Sequence, residues 1–219
     1  MCKIAQVDRG PVPAPSSPPY TKSLPANPGS STPDTPPEVL PPGPVINCSD
    51  FTSPLDYNAQ LSPNYKLSQL TTQVALPDAR VKIIPQVGLT DIQIACSLKN
   101  VANNILEPLL KKYPGFVITS GFRIYKGANT SGNISQHCKG EAVDIQWGKP
   151  PTSWGAYHLE IAQWAAANLP CDQIILEHSS SPRLWVHISN VTNNRGEKKT
   201  MRKVGNDYVY EPGFKTYYA

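Results

Sequence analysis

The sequence predicts an α+β domain, a small antiparallel sheet flanked by helices, behind an extended proline-rich arm. Three observations carry this. Apolar residues recur at three-to-four spacing from Ile94 to Leu109, short runs of alternating apolar residues follow further along the chain, and 13 of the 24 prolines fall between Pro11 and Pro44. That last segment cannot form a helix or a central strand, and its apolar area is too small to offset the entropy of ordering it. It reads as a polyproline II tether spanning residues 1–48, ahead of a folded domain over residues 49–219.

In chain order, Leu61-Ser-Pro-Asn-Tyr-Lys-Leu-Ser-Gln-Leu70 reads as an extended piece running into a short helical turn, and Gly88 breaks the chain. Thr90 is a suitable N-cap, with Asp91 in the first turn. The stripe Ile94, Ala95, Leu98, Val101, Ala102, Ile105, Leu106 and Leu109 then makes an amphipathic helix of about six turns, with a kink expected at Pro108 and a stop at Tyr113-Pro-Gly115. Phe116–Thr119 is the first clear strand, leading to Ser120-Gly121 and Arg123. The loop from Ile124 to Ile134 is long enough to form one wall of a cleft. Ala142–Trp147 is the next strand. A second helix, capped by Ser153, runs to Pro170 and carries His158 on its surface. Asp172–Glu177 and Leu184–His187 form a hairpin that brings Glu177 near His187. The tail makes a further hairpin turning at Gly205-Asn206, whose aromatics Tyr208, Tyr210, Phe214, Tyr217 and Tyr218 read as a cap on the domain.

The composition narrows the function. A formal charge of +4 from scattered basic residues favours adsorption to an anionic surface and does not point to nucleic acid. No apolar run approaches the ~20 residues that span a bilayer, and the first ten residues lack the apolar core of a secretory signal. The five cysteines include no Cys-x-x-Cys pair and suggest no disulfide framework; Cys96 and Cys171 read as core residues and the compartment of synthesis as reducing.

The chemistry concentrates in Ser135-Gln-His-Cys-Lys-Gly-Glu-Ala-Val-Asp144. Zn²⁺ takes imidazole nitrogen and carboxylate oxygen at ~2.0–2.2 Å, so its ligands need firmly held backbone. The Ala142 strand holds Asp144, His137 sits on the loop entering it, and Gly140 lets that loop pass the ion without a Cβ in the way. A hydrolytic zinc site uses three protein ligands and one open position; His187, in the alternating run Leu184–Ser189, is the best third ligand. Cys138 and His158 are weaker ligand candidates.

Taken together, Val117-Ile-Thr-Ser-Gly-Phe-Arg123, the pattern Ser-x-His-x-x-Gly-x-Ala-x-Asp over 135–144, and Trp185-Val-His187 resemble the zinc D-alanyl-D-alanine carboxypeptidase and L-alanyl-D-glutamate endopeptidase family, over roughly Leu61 to Thr200 and most closely its phage-associated branch. The resemblance implies the fold shared with the hedgehog signalling domain, a Zn²⁺ cofactor on His137, Asp144 and His187, and hydrolysis of peptidoglycan stem peptides. It implies that Arg123 binds a substrate carboxylate or carbonyl, or steadies the site. Ser135 and Gln136 would contact substrate or orient His137, and Trp185 would line the substrate site. An acidic residue usually stands two or three positions before the third ligand; here those positions hold Trp185 and Leu184. Glu177 is the substitute general base, ahead of Asp172, Glu141 or His178. Without an export signal, the protein is expected to reach the wall in a virus particle, residues 1–48 tethering it to phage tail or baseplate proteins. The alternatives are a structural virion protein that only binds the wall or decorates the particle, and a free endolysin.

Overall fold

A computed structural model describes residues 47–73, 76–127, 133–147, 154–178, 184–215 and 217. The proline-rich arm before residue 47, the Ser153 cap, Tyr218 and parts of the expected cleft-wall loop lie outside these residues.

The chain enters through the short strands β1 (Gln60–Ser62) and β2 (Tyr65–Lys66), which pair antiparallel, and the turn of helix α1 (Leu67–Leu70), as the sequence suggests. Strands β3 (Thr72–Gln73) and β4 (Leu76–Arg80) make a second small antiparallel pair. A tight turn with Gly88 at φ +79° then delivers the chain to helix α2 (Asp91–Val101). Thr90 Oγ accepts from the Gln93 backbone N–H at 3.2 Å while Gln93 Oε1 accepts from the Thr90 N–H at 2.9 Å, a reciprocal cap that satisfies two otherwise orphaned donors.

The helical run continues as a π-turn, Ala102–Leu106, and helix α3 (Glu107–Lys112). The wide turn explains how the run passes Pro108. Proline has no N–H to return to the preceding turn and its ring crowds that turn's carbonyls; a π-turn reroutes the bonds just ahead of it, so that the Glu107 N–H reaches Ala102 O. The predicted stripe from Ile94 to Leu109 is buried throughout, each Ile, Leu or Val in it contributing ~1.5–3 kcal/mol.

Six strands form the main sheet: β5 (Phe116–Ser120), β6 (Ala142–Trp147), β7 (Gln173–His178), β8 (Leu184–Ser189), β9 (Glu197–Val204) and β10 (Asp207–Pro212). Their order is β10-β9-β7-β8-β6-β5. The sheet is not purely antiparallel as expected: β7 and β9 run parallel. The tail hairpin, turning at Gly205-Asn206, is therefore part of the main sheet rather than a separate cap.

Strand alternation sorts the sheet's two faces. Val143, Ile145, Ile174, Leu176, Val186 and Ile188 join one apolar core with Ile94 and Leu98 of α2 and with Ile161, Ala162 and Ala165 of α4 (Trp154–Asn168). The opposite parity puts Asp144, His187, Glu177 and Trp185 together on the other face, with Asp144 paired to His187 and Glu177 to Trp185.

Two side-chain expectations are corrected here. Cys96 is not a free core thiol: it forms a disulfide with Cys48, Cα–Cα 5.6 Å, tying the start of the described chain to α2. His158 is fully buried, not a surface residue, and its Nε2 accepts from the Trp147 backbone N–H at 3.4 Å. Among the described residues no helix is long and apolar enough to cross a membrane.

Candidate metal centre

His137 lies in a single 3₁₀ turn, Gln136–Lys139, just before β6. The turn closes on Gly140 at φ +72°, where the left-handed backbone suits glycine. A Cβ there would come within 2.5 Å of Ile94 O. Glycine is thus needed for the turn's approach to α2, and not, as the sequence suggested, for clearance of the ion. Gln86 fastens the turn to the segment after β5: its Nε2 donates to Arg123 O at 2.9 Å and Cys138 O at 2.6 Å, and its Oε1 accepts from Tyr125 N at 2.8 Å. Nothing in the local sequence marked Gln86.

The three expected ligands converge. His137 Nε2 lies 3.1 Å from Asp144 Oδ1 and 3.1 Å from His187 Nδ1, and His187 Nδ1 lies 3.0 Å from Asp144 Oδ1. All three residues are buried, and they are the group of His, Cys, Asp and Glu side chains among the described residues that can hold a metal ion. Cys138 and His158 do not belong to it.

The protonation pattern tests the fit. His137 Nδ1 sits 2.7 Å from Gly121 O; a carbonyl only accepts, so Nδ1 carries the ring proton and Nε2 faces inward with a lone pair. His187 Nε2 faces Gln136 Oε1 at 3.3 Å, which likewise leaves Nδ1 proton-free. Burial, outweighing the attraction of Asp144, holds the His137 pKa below its usual range, so the ring is neutral. Burial by itself would raise the Asp144 pKa, yet it is held low, and the paired Arg123 guanidinium keeps the carboxylate charged. Two lone pairs and a carboxylate oxygen thus meet without a proton between them, an arrangement that is repulsive until a cation joins it. Tetrahedral bonds of ~2.0–2.2 Å place ligand atoms ~3.3–3.6 Å apart, close to the spacing found. The residues fit a divalent metal.

Arg123 pairs through Nη2 with Asp144 Oδ2, leaving Oδ1 for the cluster, and its Nε donates to Ser120 Oγ at 2.8 Å. A register shift between Ile118 and Ser120 aligns Ser120 with Asp144. Arg123 thus ties Ser120 on β5 to Asp144 on β6. Gln136 does not orient His137, as expected; that task falls to the Gly121 carbonyl, and Gln136 turns to His187 instead. Ser135 opens the 3₁₀ turn, partly buried, with no capping bond from its side chain.

Glu177 lies on the same face, partly buried, directly across the strands from Trp185. Its pKa is pushed up to about 7, by burial first and then by the charge of Asp144. The other candidate acids are differently engaged. Asp172 is bound by Arg195 and Gln136, Glu141 is raised chiefly by its own burial, and His178 Nε2 meets Lys215 O at 3.2 Å. Compared with protein-family models and with curated proteins, the chain matches none, so the candidate centre stands on its own geometry.

Proposed function

We propose that this protein is a zinc-dependent peptidase that hydrolyses peptidoglycan stem peptides, carried in a phage virion at the tail or baseplate. The observation that carries the reading is the meeting of three proton-free ligand atoms, from His137, Asp144 and His187, on the same sheet face as a carboxyl of raised pKa, Glu177. The pattern Ser135 to Asp144 with Trp185 and His187, which resembles the zinc carboxypeptidase and endopeptidase family, supplies the substrate class. The disulfide adds support, since such bonds persist in oxidising surroundings outside the cytoplasm.

Zn²⁺ on these three residues supplies Lewis acidity and makes water nucleophilic near neutral pH. The protein's own groups do the rest. Glu177 accepts the proton of the attacking water and returns it to the departing amine, a transfer favoured by a pKa near the working pH. Trp185, its cross-strand neighbour, lines the substrate site. Arg123 fixes Asp144, and its remaining N–H donors suit a carbonyl or carboxylate of the peptide. Ser135, at the mouth of the turn, contributes to substrate binding. Residues 1–48 tether the domain to its particle.

The test is digestion of purified sacculi with the zinc-loaded protein, followed by mass spectrometry of the released fragments. Cleavage within stem peptides is expected. Zinc uptake with no released fragment would favour a wall-binding virion protein instead.

A further inference from the structure

We propose that Arg195, Asp172 and Gln136 form a positioning relay that sets which nitrogen of His187 carries its proton, and so holds Nδ1 ready for the metal. The inference rests on the metal centre of the proposed function and extends it to residues outside the ligand set.

Each link dictates the next. Arg195 grips Asp172 three times: its backbone N–H and Nε donate to Oδ1 at 3.0 and 2.9 Å, and Nη2 donates to Oδ2 at 2.6 Å. Asp172 is buried, and beside this guanidinium it is an ionised carboxylate that only accepts. Whatever Gln136 presents to Oδ2 must therefore be its NH₂ group, and Nε2 does donate there at 2.7 Å. An amide with its nitrogen committed has its oxygen on the other side, and that oxygen meets His187 Nε2 at 3.3 Å. An oxygen acceptor requires Nε2–H, which leaves the lone pair on Nδ1, 3.1 Å from His137 Nε2 and 3.0 Å from Asp144 Oδ1. His137 needs no such chain, because a backbone carbonyl fixes its tautomer directly. The Arg195 side chain is 58% exposed, so the relay begins at the surface and ends at the ion.

The polarity of the relay makes a specific forecast. In Asp172→Asn the amide keeps its oxygen toward Arg195 and turns its NH₂ toward Gln136. Gln136 must then reverse, offer its own NH₂ to His187, and favour the Nδ1–H form that cannot bind the metal.

The test uses the full chain with ¹⁵N-labelled histidine, freed of metal, and reads the ring tautomers by long-range ¹H–¹⁵N correlation. Wild type is expected to show His187 as Nε2–H. Asp172→Asn and Gln136→Leu should shift it toward Nδ1–H while His137 stays unchanged as an internal control. Zn²⁺ affinity, measured by competition with a chromophoric chelator, should fall ~10–100-fold in both, the usual cost of losing an outer partner of a ligating histidine. Arg195→Met, at an exposed side chain, should fold and weaken Zn²⁺ by a smaller factor, with Arg195→Lys restoring part of it. An unchanged His187 tautomer with Zn²⁺ affinity within about twofold of wild type in Asp172→Asn and Arg195→Met overturns the relay. Failure of wild type to take Zn²⁺ would instead sink the metal centre, and the tautomer measurement would still decide the relay.

Discussion

Two carboxylates on one face of the main sheet, Asp144 and Glu177, are held in opposite states. Asp144 is enclosed by His137, His187 and Arg123 and lies low on the pH scale. Glu177, buried with the negative Asp144 nearby, is pushed up to about 7. Both are desolvated, so burial alone does not separate them; the Arg123 guanidinium paired with Asp144 and the negative charge standing near Glu177 do. One carboxylate is thereby fitted to hold a cation, the other to exchange a proton.

The sharpest way to break this contrast is to remove a ligand. His137→Ala should weaken Zn²⁺ by more than ~100-fold, beyond what losing an outer partner costs, and abolish turnover; titration with a zinc chelator and fragment release from sacculi would check both. Glu177→Gln should separate the two roles, keeping Zn²⁺ affinity within about twofold and lowering turnover ~10²–10⁴-fold. Unaltered cleavage by that variant would assign the proton transfer elsewhere.

The smallest effect concerns pH. In the metal-free protein, Glu177 titrates near 7 when folded and near its ordinary 4.5 when unfolded. Between those values the folded state keeps a proton that the unfolded chain has released, so stability must fall as pH rises through the window and level off above it. Denaturant unfolding at pH 5 and pH 8 should show a loss on the order of 2 kcal/mol in wild type, since each tenfold difference in proton affinity between the two states is worth ~1.4 kcal/mol. Glu177→Gln should remove most of that loss. Identical pH slopes in the two proteins would mean that Glu177 is not raised. Added Zn²⁺ should flatten the wild-type slope, because a nearby dication lowers the carboxyl's pKa.

The parts of the molecule legible in sequence were those in which neighbours along the chain settle the outcome. The Thr90 cap, the stripe from Ile94 to Leu109 and the strands at Phe116, Ala142 and Leu184 all stand where period and capping put them. His137, Asp144 and His187 were legible because two are near in sequence and strand parity aims the third. The Cys48–Cys96 bond was not legible, since 48 residues separate its partners and no spacing motif announces it. Nor was the parallel pairing of β7 with β9, which brings distant segments together in a register that neither strand encodes.

The sequence by itself determined which residues can bind a cation and which face of each strand carries them, because alternation and helical period are local properties of the backbone. Only the tertiary structure decided which nitrogen of each imidazole points inward, which carboxylate is ionised, and that Gln136 serves His187 rather than His137. Those outcomes depend on partners such as Gly121, Asp172 and Arg195, contributed by remote segments, and hydrogen-bond direction and desolvation exist only once the chain has closed around them.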